Sequence, residues 1–292
     1  MKKIPLLVVV GPTASGKSAL AIEKAKELGG EIISGDSMQI YRGMNIGTAK
    51  PFPEEMCGIP HHLIDVADIT EPFSAARFVE LASRAIEDII SRNKLPIIAG
   101  GTGLYIDTLV SGTELTVAED NYELRAELFK EAEENGANAL HARLASVDPE
   151  SAEAIHPNNV KRVVRALEMF LTTGMTKTEL DRKSRQKECI YDAKTVYIIP
   201  KERETIYERI DRRVDKMLEL GLEAEVKSLV EQGLRNTPTA SQAIGYKEFY
   251  PYFDGDCDIE AVRNSICLNT RHYAKRQLTW FNRKPADETV YI

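Results

Sequence analysis

The chain has 292 residues, with 38 Lys and Arg against 45 Asp and Glu, for a formal net charge of −7. This length suits one large domain or two smaller ones, and a hydrophobic fraction of 43% excludes a wholly disordered chain. The apolar run at 6–10 is far shorter than the roughly 20 residues of a membrane helix, and the four scattered cysteines are typical of reduced thiols. We therefore expect a cytoplasmic protein. The acidic sum, taken alone, argues against a nucleic-acid partner.

Short β-rich runs alternate with segments of helical spacing. A continuous apolar run is typical of a strand that is buried on both faces of a parallel sheet, and the alternation favours an α/β class. The predicted strands are 6–10, 31–34, 96–99 and 195–200, and the first predicted helices are 19–28 and 78–90. Further helices should follow Pro200 and break at Gly221 and Gly233.

The middle of the chain changes in character. Residues 114–154 are rich in Ala, Leu and Glu and sum to −8, whereas residues 161–187 sum to +5. A helical composition between strand segments favours an insertion. We predict a discontinuous core, 1–114 plus 191–292, interrupted by a helical insertion at 115–190.

A phosphate-binding motif follows the first predicted strand. Residues 11–18 fit G-x-x-x-x-G-K-[ST] between a strand and a helix, the context that confirms such a loop. Its backbone N–H groups can surround phosphate oxygens, while the lysine supplies a cation and the last hydroxyl can ligate Mg²⁺. The predicted diphosphate-binding residues are Gly11, Pro12, Thr13, Ala14, Ser15, Gly16, Lys17 and Ser18.

Asp36 is the one acid directly after a predicted core strand. The strand at 96–99 ends in Gly100-Gly101 and the strand at 195–200 ends in proline, so the chain lacks the strand-end acid of a motor-type hydrolase. Asp36 is a candidate functional carboxylate, but an Asx turn explains an Asp-Ser pair equally well. Both interpretations stay open at this point.

Three further polar clusters were considered. His61 and His62 are adjacent, so they would point to opposite faces of a strand, and we predict structural hydrogen bonds rather than a metal site. The acidic run at 254–258 lacks the later ligands of a calcium loop and should be an exposed turn. Residues 261–285 carry six bases and no acid, with Tyr273, Trp280 and Phe281 between them, a combination that suits single-stranded nucleic acid.

Taken in order, these motifs resemble the bacterial tRNA dimethylallyltransferase (tRNA isopentenyltransferase) family. The resemblance covers residues 4 to about 284 and includes several distinctive segments besides the phosphate loop. These are Asp36–Met44, Asn45–Pro51, His61–Asp65, Gly100–Tyr105, His156–Asn158, Arg162–Glu168, Gln242–Glu248 and Tyr273–Phe281. Eukaryotic members add a C-terminal zinc finger, which the bacterial form lacks.

The resemblance implies a P-loop NTPase-like fold and transfer of the dimethylallyl group from its diphosphate to N6 of adenosine 37 of tRNA. Asp36 would be the general base, and Thr102 would hydrogen-bond the reacting region. Arg209 and Arg213 would grip the pyrophosphate together with Lys17, although Arg212 competes for that role. Mg²⁺ is the expected cofactor, held by Ser18, with Asp36 as a second candidate ligand.

The same resemblance implies that the anticodon stem-loop is the partner of a monomeric enzyme, with the target base flipped into a channel. The implied tRNA contacts form three runs and two single residues. They are Asp36, Ser37, Met38 and Gln39; Lys161, Arg162, Val163, Val164 and Arg165; Gln242, Ala243, Ile244, Gly245, Tyr246 and Lys247; Thr102; and Arg125.

Three other functions compete with this one. A small-molecule P-loop kinase would use ATP, but the missing strand-end acid counts against it. A prenyltransferase acting on free AMP would need no large insertion. An RNA-binding regulator could keep an inactive phosphate loop. The acceptor molecule and the effect of replacing Asp36 distinguish these hypotheses.

Overall fold

A computed structural model describes residues 3–113, 121–184 and 189–292 of the chain. Six parallel strands form one sheet in the order β3-β2-β4-β1-β5-β6, which confirms the α/β prediction. The strands are β1 (Ile4–Val10), β2 (Gly30–Ser34), β3 (His61–His62), β4 (Leu95–Gly100), β5 (Tyr191–Ile199) and β6 (Glu288–Tyr291). Strand β6 was not predicted, because its four residues are short, polar and mostly exposed.

The helices follow the predicted segments with bounds that differ by a few residues. They are α1 (Lys17–Leu28), α2 (Ala75–Ser91), α3 (Gly103–Ser111), α4 (Tyr122–Asn135), α5 (Ala137–Val147), α6 (Pro149–Ala154), α7 (Val160–Thr173), α8 (Lys177–Ser184), α9 (Arg203–Glu219), α10 (Leu222–Glu231), α11 (Tyr250–Asp254) and α12 (Ile259–Phe281). Left-handed glycines precede and follow α10, at Gly221 and Gly233, where the sequence predicted breaks. Within the described ranges no helix combines the length and apolarity needed to cross a membrane.

The chain divides into two compact units. The first comprises Met1–Val110 and Ile190–Ile292, and the second is the continuous segment Ser111–Cys189. The second unit begins slightly before the predicted insertion at 115–190, because α3 ends at Ser111.

The centre of the first unit is β1, which lies between β4 and β5. Val8, Val9 and Val10 are at most 2% exposed, as expected for a strand covered on both faces. Because parallel strands end at the same edge of a sheet, the segments that follow β1, β2 and β4 meet there. Gly35 N donates to Ala99 O at 2.8 Å, and a Cβ on Gly100 would lie 2.2 Å from Gly35 O. Only glycine allows this approach.

The second unit has its own core, formed by apolar residues of α4, α5, α6 and α7. Val163 and Val164 belong to it and are 0% and 1% exposed. Their side chains therefore stabilise α7 and do not form the RNA-contacting surface that was predicted for them. Lys161 and Arg162, on the same helix, are exposed.

A buried carboxylate organises this core. Glu168 is 0% exposed and accepts from Arg125 Nη2 at 2.9 Å, from Arg165 Nη1 at 2.8 Å and from Asn121 N at 3.2 Å. A buried charge is tolerated only when it is paired and hydrogen-bonded. Arg125 and Arg165, both predicted tRNA contacts, thus have a structural role in addition to any role in binding.

Replacing Arg125 with methionine should destabilise the second unit by about 3 kcal/mol, because removing one partner of a buried ion pair leaves a poorly compensated charge. Native-state hydrogen exchange of the α7 amides measures this change. The matched control is Arg143→Met, since Arg143 pairs with Glu131 at a partly exposed site where such a pair contributes about 0–1 kcal/mol. Equal effects of the two variants would contradict the structural role of Arg125.

Candidate active site

The phosphate loop, residues 11–18, connects β1 to α1. Gly16 is the N-cap residue of α1 and has φ 89°, a left-handed conformation that favours glycine. Since glycine has no side chain to cap the helix, the N–H groups of the first turn and the positive end of its dipole remain available to an anion. The geometry therefore matches the predicted diphosphate site.

Lys17 folds back over this loop. Its Nζ donates to Pro12 O at 2.6 Å. Burial lowers the pKa of Lys17 to about 8, the nearby Arg213 guanidinium lowers it further, and Asp36 opposes both effects. Neither Lys17 nor Arg213 forms an ion pair within the described part of the chain. Two adjacent cations without carboxylate partners create a strong preference for an anionic ligand.

Arg213 is the arginine of α9 that reaches the loop. Its Nη1 donates to Thr13 Oγ1 at 3.2 Å, and its Nη2 contacts Thr48 O at 3.5 Å. Burial lowers its pKa, whereas Asp36 raises it. Arg212 instead pairs with Glu208 at 3.7 Å on the exposed side of the helix. Arg209 lines neither of the two cavities described below, so the geometry singles out Arg213.

Asp36 satisfies both interpretations of its sequence context. Its Oδ1 accepts from Met38 N at 2.9 Å, which is the expected Asx turn, and the residue also lines a cavity. Thr102 Oγ1 accepts from Ser37 N at 3.0 Å, so the glycine-rich segment after β4 orients the turn. Gln39 continues the turn and accepts from Ser34 Oγ at 2.9 Å.

The first cavity lies beside Asp36 and has a volume of about 360 Å³. Residues of the predicted tRNA-contacting runs line it, together with one face of α12 that was not singled out residue by residue. The lining includes Thr13, Asp36–Met38, Gly47, Thr48, Arg213, Gln242–Gly245, Lys247, Asn269, Thr270, Tyr273 and Arg276. Tyr246, although predicted to contact tRNA, is 0% exposed and its hydroxyl donates to Glu225 at 2.7 Å. Its side chain supports the wall instead of facing the cavity.

Helix α12 is tied to two loops by Gln277. Its Oε1 accepts from Thr13 N at 2.7 Å, and its Nε2 donates to Gly101 O at 3.0 Å. Tyr273, one turn earlier, hydrogen-bonds with Thr102 and Gln277, and burial raises its pKa. The i, i+4 spacing places both side chains on the same face of the helix, and this spacing was the only indication of their role in the sequence.

The second cavity lies beside the phosphate loop and has a volume of about 530 Å³. Its polar wall contains Lys17 and Ser18, and Arg213 lines this cavity as well as the first. The remainder is largely apolar and includes Ile22, Ile46, Phe52, Met217 and Leu220. A cationic corner is therefore shared by a cavity that contains the phosphate loop and a cavity that contains Asp36.

A model of the IPP transferase family matches residues 39–284. The chain belongs to this family. A tRNA dimethylallyltransferase of Geobacillus thermodenitrificans is 50% identical over 283 residues, which cover 97% of this chain and 89% of that protein. The resemblance stated from the sequence motifs is thereby confirmed.

Solved structures of the family agree with the fold. A tRNA isopentenylpyrophosphate transferase of Staphylococcus epidermidis is 48% identical, with a TM-score of 0.71 over 99% of this chain and 93% of that one. A eukaryotic dimethylallyltransferase acting on tRNA is 33% identical, with a TM-score of 0.80 over 95% of this chain and 69% of that one.

The basic stretches of this family member are less available than their charge sums suggest. In the stretch 261–285, Arg263 pairs with Asp215 and Arg271 with Asp211, while Arg283 and Lys284 both approach Asp107. Among the described residues of that stretch, Lys275 and Arg276 are the cations without an ion pair. In the stretch 161–184, ion pairs occupy Arg165, Lys177 and Arg182, whereas Lys161 and Arg162 form none.

The histidine pair and the acidic run have structural roles, as predicted. His62 Nε2 lies 2.8 Å from Glu31 Oε2, and His61 Nδ1 lies 2.8 Å from Ile59 O. Asp254 pairs with Arg235, and Asp258 caps α12 by accepting from Ala261 N at 2.8 Å. Within the described ranges, no group of three or more His, Cys, Asp and Glu side chains could hold a metal ion.

Proposed function

We propose that this chain transfers the dimethylallyl group of dimethylallyl diphosphate to N6 of adenosine 37 of tRNA, forming N6-isopentenyladenosine and pyrophosphate. The supporting observation is that Arg213 joins the cavity of the phosphate loop to the cavity of Asp36. A diphosphate and a nucleobase in these two cavities would meet at one cationic corner.

The diphosphate belongs on the phosphate-loop side. Lys17, Arg213 and the N-terminus of α1 would neutralise the charge that develops on pyrophosphate as the C–O bond to the dimethylallyl carbon breaks. Fixed cations and dipoles that face a developing charge lower the barrier, because they need no reorganisation during the reaction. No water-orienting acid is required, since the acceptor is an amine and not water.

The exocyclic amine belongs on the Asp36 side. Its lone pair is delocalised into the adenine ring, so it is a weak nucleophile until its proton begins to leave. As the new N6–C bond forms, the Asp36 carboxylate would accept that proton. General-base assistance of this kind typically contributes about 10²–10⁴-fold in rate.

Mg²⁺ fits the phosphate-loop side better than the Asp36 side. Ser18 lines the second cavity, whereas Asp36 lines the first. Magnesium in proteins commonly combines few protein ligands with substrate phosphate oxygens, which matches a site whose protein donor is the Ser18 hydroxyl. When bound, the ion would add positive charge beside the leaving group.

The tRNA surface would combine the exposed α7 residues Lys161 and Arg162 with the first-cavity residues Gln242–Gly245 and Lys247. Tyr273 and Asn269 offer a ring and an amide to a flipped adenine, the usual means of holding an extruded base. We propose that the anticodon stem-loop is the part of tRNA that is bound, that the second unit contributes to this binding, and that the enzyme acts as a monomer in the cytoplasm.

The decisive experiment mixes the protein with dimethylallyl diphosphate, Mg²⁺ and transcribed tRNAs that carry adenosine at position 37. Mass spectrometry of the digested RNA should show one added C5H8 unit at that base. A tRNA with guanosine at position 37 should stay unmodified, and AMP should be a poor acceptor. Modification of AMP but not tRNA would replace this proposal with the free-nucleotide alternative, and no product with several tRNAs would refute both.

A further inference from the structure

The segment Asn45–Lys50, here called the dividing loop, contributes to both cavities. Gly47 and Thr48 line the first, whereas Asn45, Ile46, Ala49 and Lys50 line the second. Any displacement of this backbone therefore changes both cavities at once. The residues that hold the dividing loop can affect the reaction without touching either substrate.

Glu225 of α10 holds one side of the dividing loop. Its carboxylate accepts from three consecutive backbone N–H groups, those of Asn45 at 3.0 Å, Ile46 at 2.8 Å and Gly47 at 3.2 Å. The Tyr246 hydroxyl donates to the same carboxylate at 2.7 Å. Hydrogen bonds to an ionised acceptor are roughly twice as strong as neutral ones, so this contact fixes the loop firmly.

Tyr246 supports the same loop through its ring. A Cβ on Gly47 would lie 2.5 Å from Tyr246 Cε2, so the loop backbone rests directly against the aromatic face. Tyr246 sits within the run Gln242–Lys247, whose other members line the first cavity. The run predicted to contact tRNA is thus connected to the dividing loop by one side chain.

The other side of the dividing loop contacts two residues of the candidate site. Thr48 O accepts from Gln39 Nε2 at 3.3 Å and faces Arg213 Nη2 at 3.5 Å. Gln39 belongs to the turn of Asp36, and Arg213 lies between the two cavities. The path from Glu225 to the reacting groups therefore consists of one loop backbone.

We propose that Glu225, with Tyr246 as its partner, is a positioning residue for the transfer reaction. It holds the dividing loop so that the Thr48 carbonyl keeps Arg213 at the corner where the two substrates meet. Glu225 lines neither cavity and touches no substrate. This inference rests on the proposed function for its kinetic consequence, although the loop contact itself does not.

The kinetic test compares Glu225→Ala and Tyr246→Phe with Glu223→Ala as matched control. Glu223 lies on the same helix and accepts from Tyr252 OH at 3.2 Å on an exposed surface. Misplacing a reacting group by about 1 Å can cost roughly 10²-fold, so Glu225→Ala should lower kcat by about that factor. Tyr246→Phe should lower it roughly tenfold, and the Kd for tRNA should change less than about threefold.

A second measurement separates positioning from a merely structural role. Amide hydrogen exchange at 45–47 and binding of inorganic pyrophosphate are measured for each variant, with Glu225→Gln included because it preserves size and one acceptor oxygen. We expect faster exchange and weaker pyrophosphate binding in Glu225→Ala, partial rescue in Glu225→Gln and wild-type behaviour in Glu223→Ala. If Glu225→Ala does not fold, Glu225→Gln and Tyr246→Phe carry the same comparison.

Each outcome decides something. Unchanged exchange at 45–47, or a kcat equal to that of Glu223→Ala, overturns the inference. If the wild-type protein transfers no dimethylallyl group but the exchange and pyrophosphate results appear as expected, the proposed function fails while the role of Glu225 in positioning the loop stands.

Discussion

Replacing Asp36 with asparagine should lower kcat for dimethylallyl transfer by about 10²–10⁴-fold, because the amide cannot accept the proton that leaves N6. Asparagine retains the Oδ1 atom that accepts from Met38 N at 2.9 Å, so the turn should keep its shape. Single-turnover kinetics with saturating tRNA and dimethylallyl diphosphate measure the chemical step directly.

Two controls accompany this variant. Asp256→Asn makes the same chemical change at an exposed carboxylate that lines neither cavity, and it should leave kcat unchanged. The Kd of Asp36→Asn for tRNA should remain within about threefold of the wild-type value, because the substitution is aimed at the chemical step. Retained turnover in Asp36→Asn would remove Asp36 from the role of general base and favour the RNA-binding regulator.

Replacing Lys17 with alanine should lower kcat by about 10²–10³-fold, the usual effect of deleting one group that stabilises a developing charge. The wild-type protein should also bind pyrophosphate less tightly as the pH rises through about 8, the pKa to which burial lowers the Lys17 ammonium. The sign follows from charge, since the cation that attracts the anion is present below that pKa and lost above it.

Isothermal titration of pyrophosphate between pH 6.5 and 9.5 tests this pH dependence. Dividing the wild-type affinity by that of Lys17→Ala at each pH removes the ionisation of the ligand, and the ratio should fall towards one at high pH. Lys17→Arg, which stays charged throughout, should give a flat profile, and Lys26→Ala, at an exposed position of α1, should behave as wild type. A ratio that does not change with pH would show that Lys17 does not hold the diphosphate.

The sequence allowed the parallel sheet and the phosphate loop to be predicted, because both depend on local order. An apolar strand followed by G-x-x-x-x-G-K-[ST] specifies a strand, a turn and a helix within a few residues. Asp36 could be singled out for the same reason, since it follows β2 directly. The competing Asx-turn interpretation was also correct, which shows that one carboxylate can shape its turn and still face a cavity.

The remaining parts of the site depend on contacts between distant residues. Glu225 meets the dividing loop across about 180 positions of the chain, and nothing in its local sequence distinguishes it from the other acids of α10. The charge sums failed for a related reason. Arg263 and Arg271 count as bases in the sequence, but Asp215 and Asp211 of α9 neutralise them in the folded protein.

Strand β1 has a consequence for how the chain is assembled during synthesis. Val8 pairs with Ile98 on one side and with Thr195 on the other, so the second side of β1 stays open until the whole segment Ser111–Cys189 has been made. Contacts across such a separation form slowly, because a long loop must close before they gain anything. The helices of that segment contact one another locally, so we expect them to fold on the ribosome first, while the half-built sheet still exposes an unpaired strand edge.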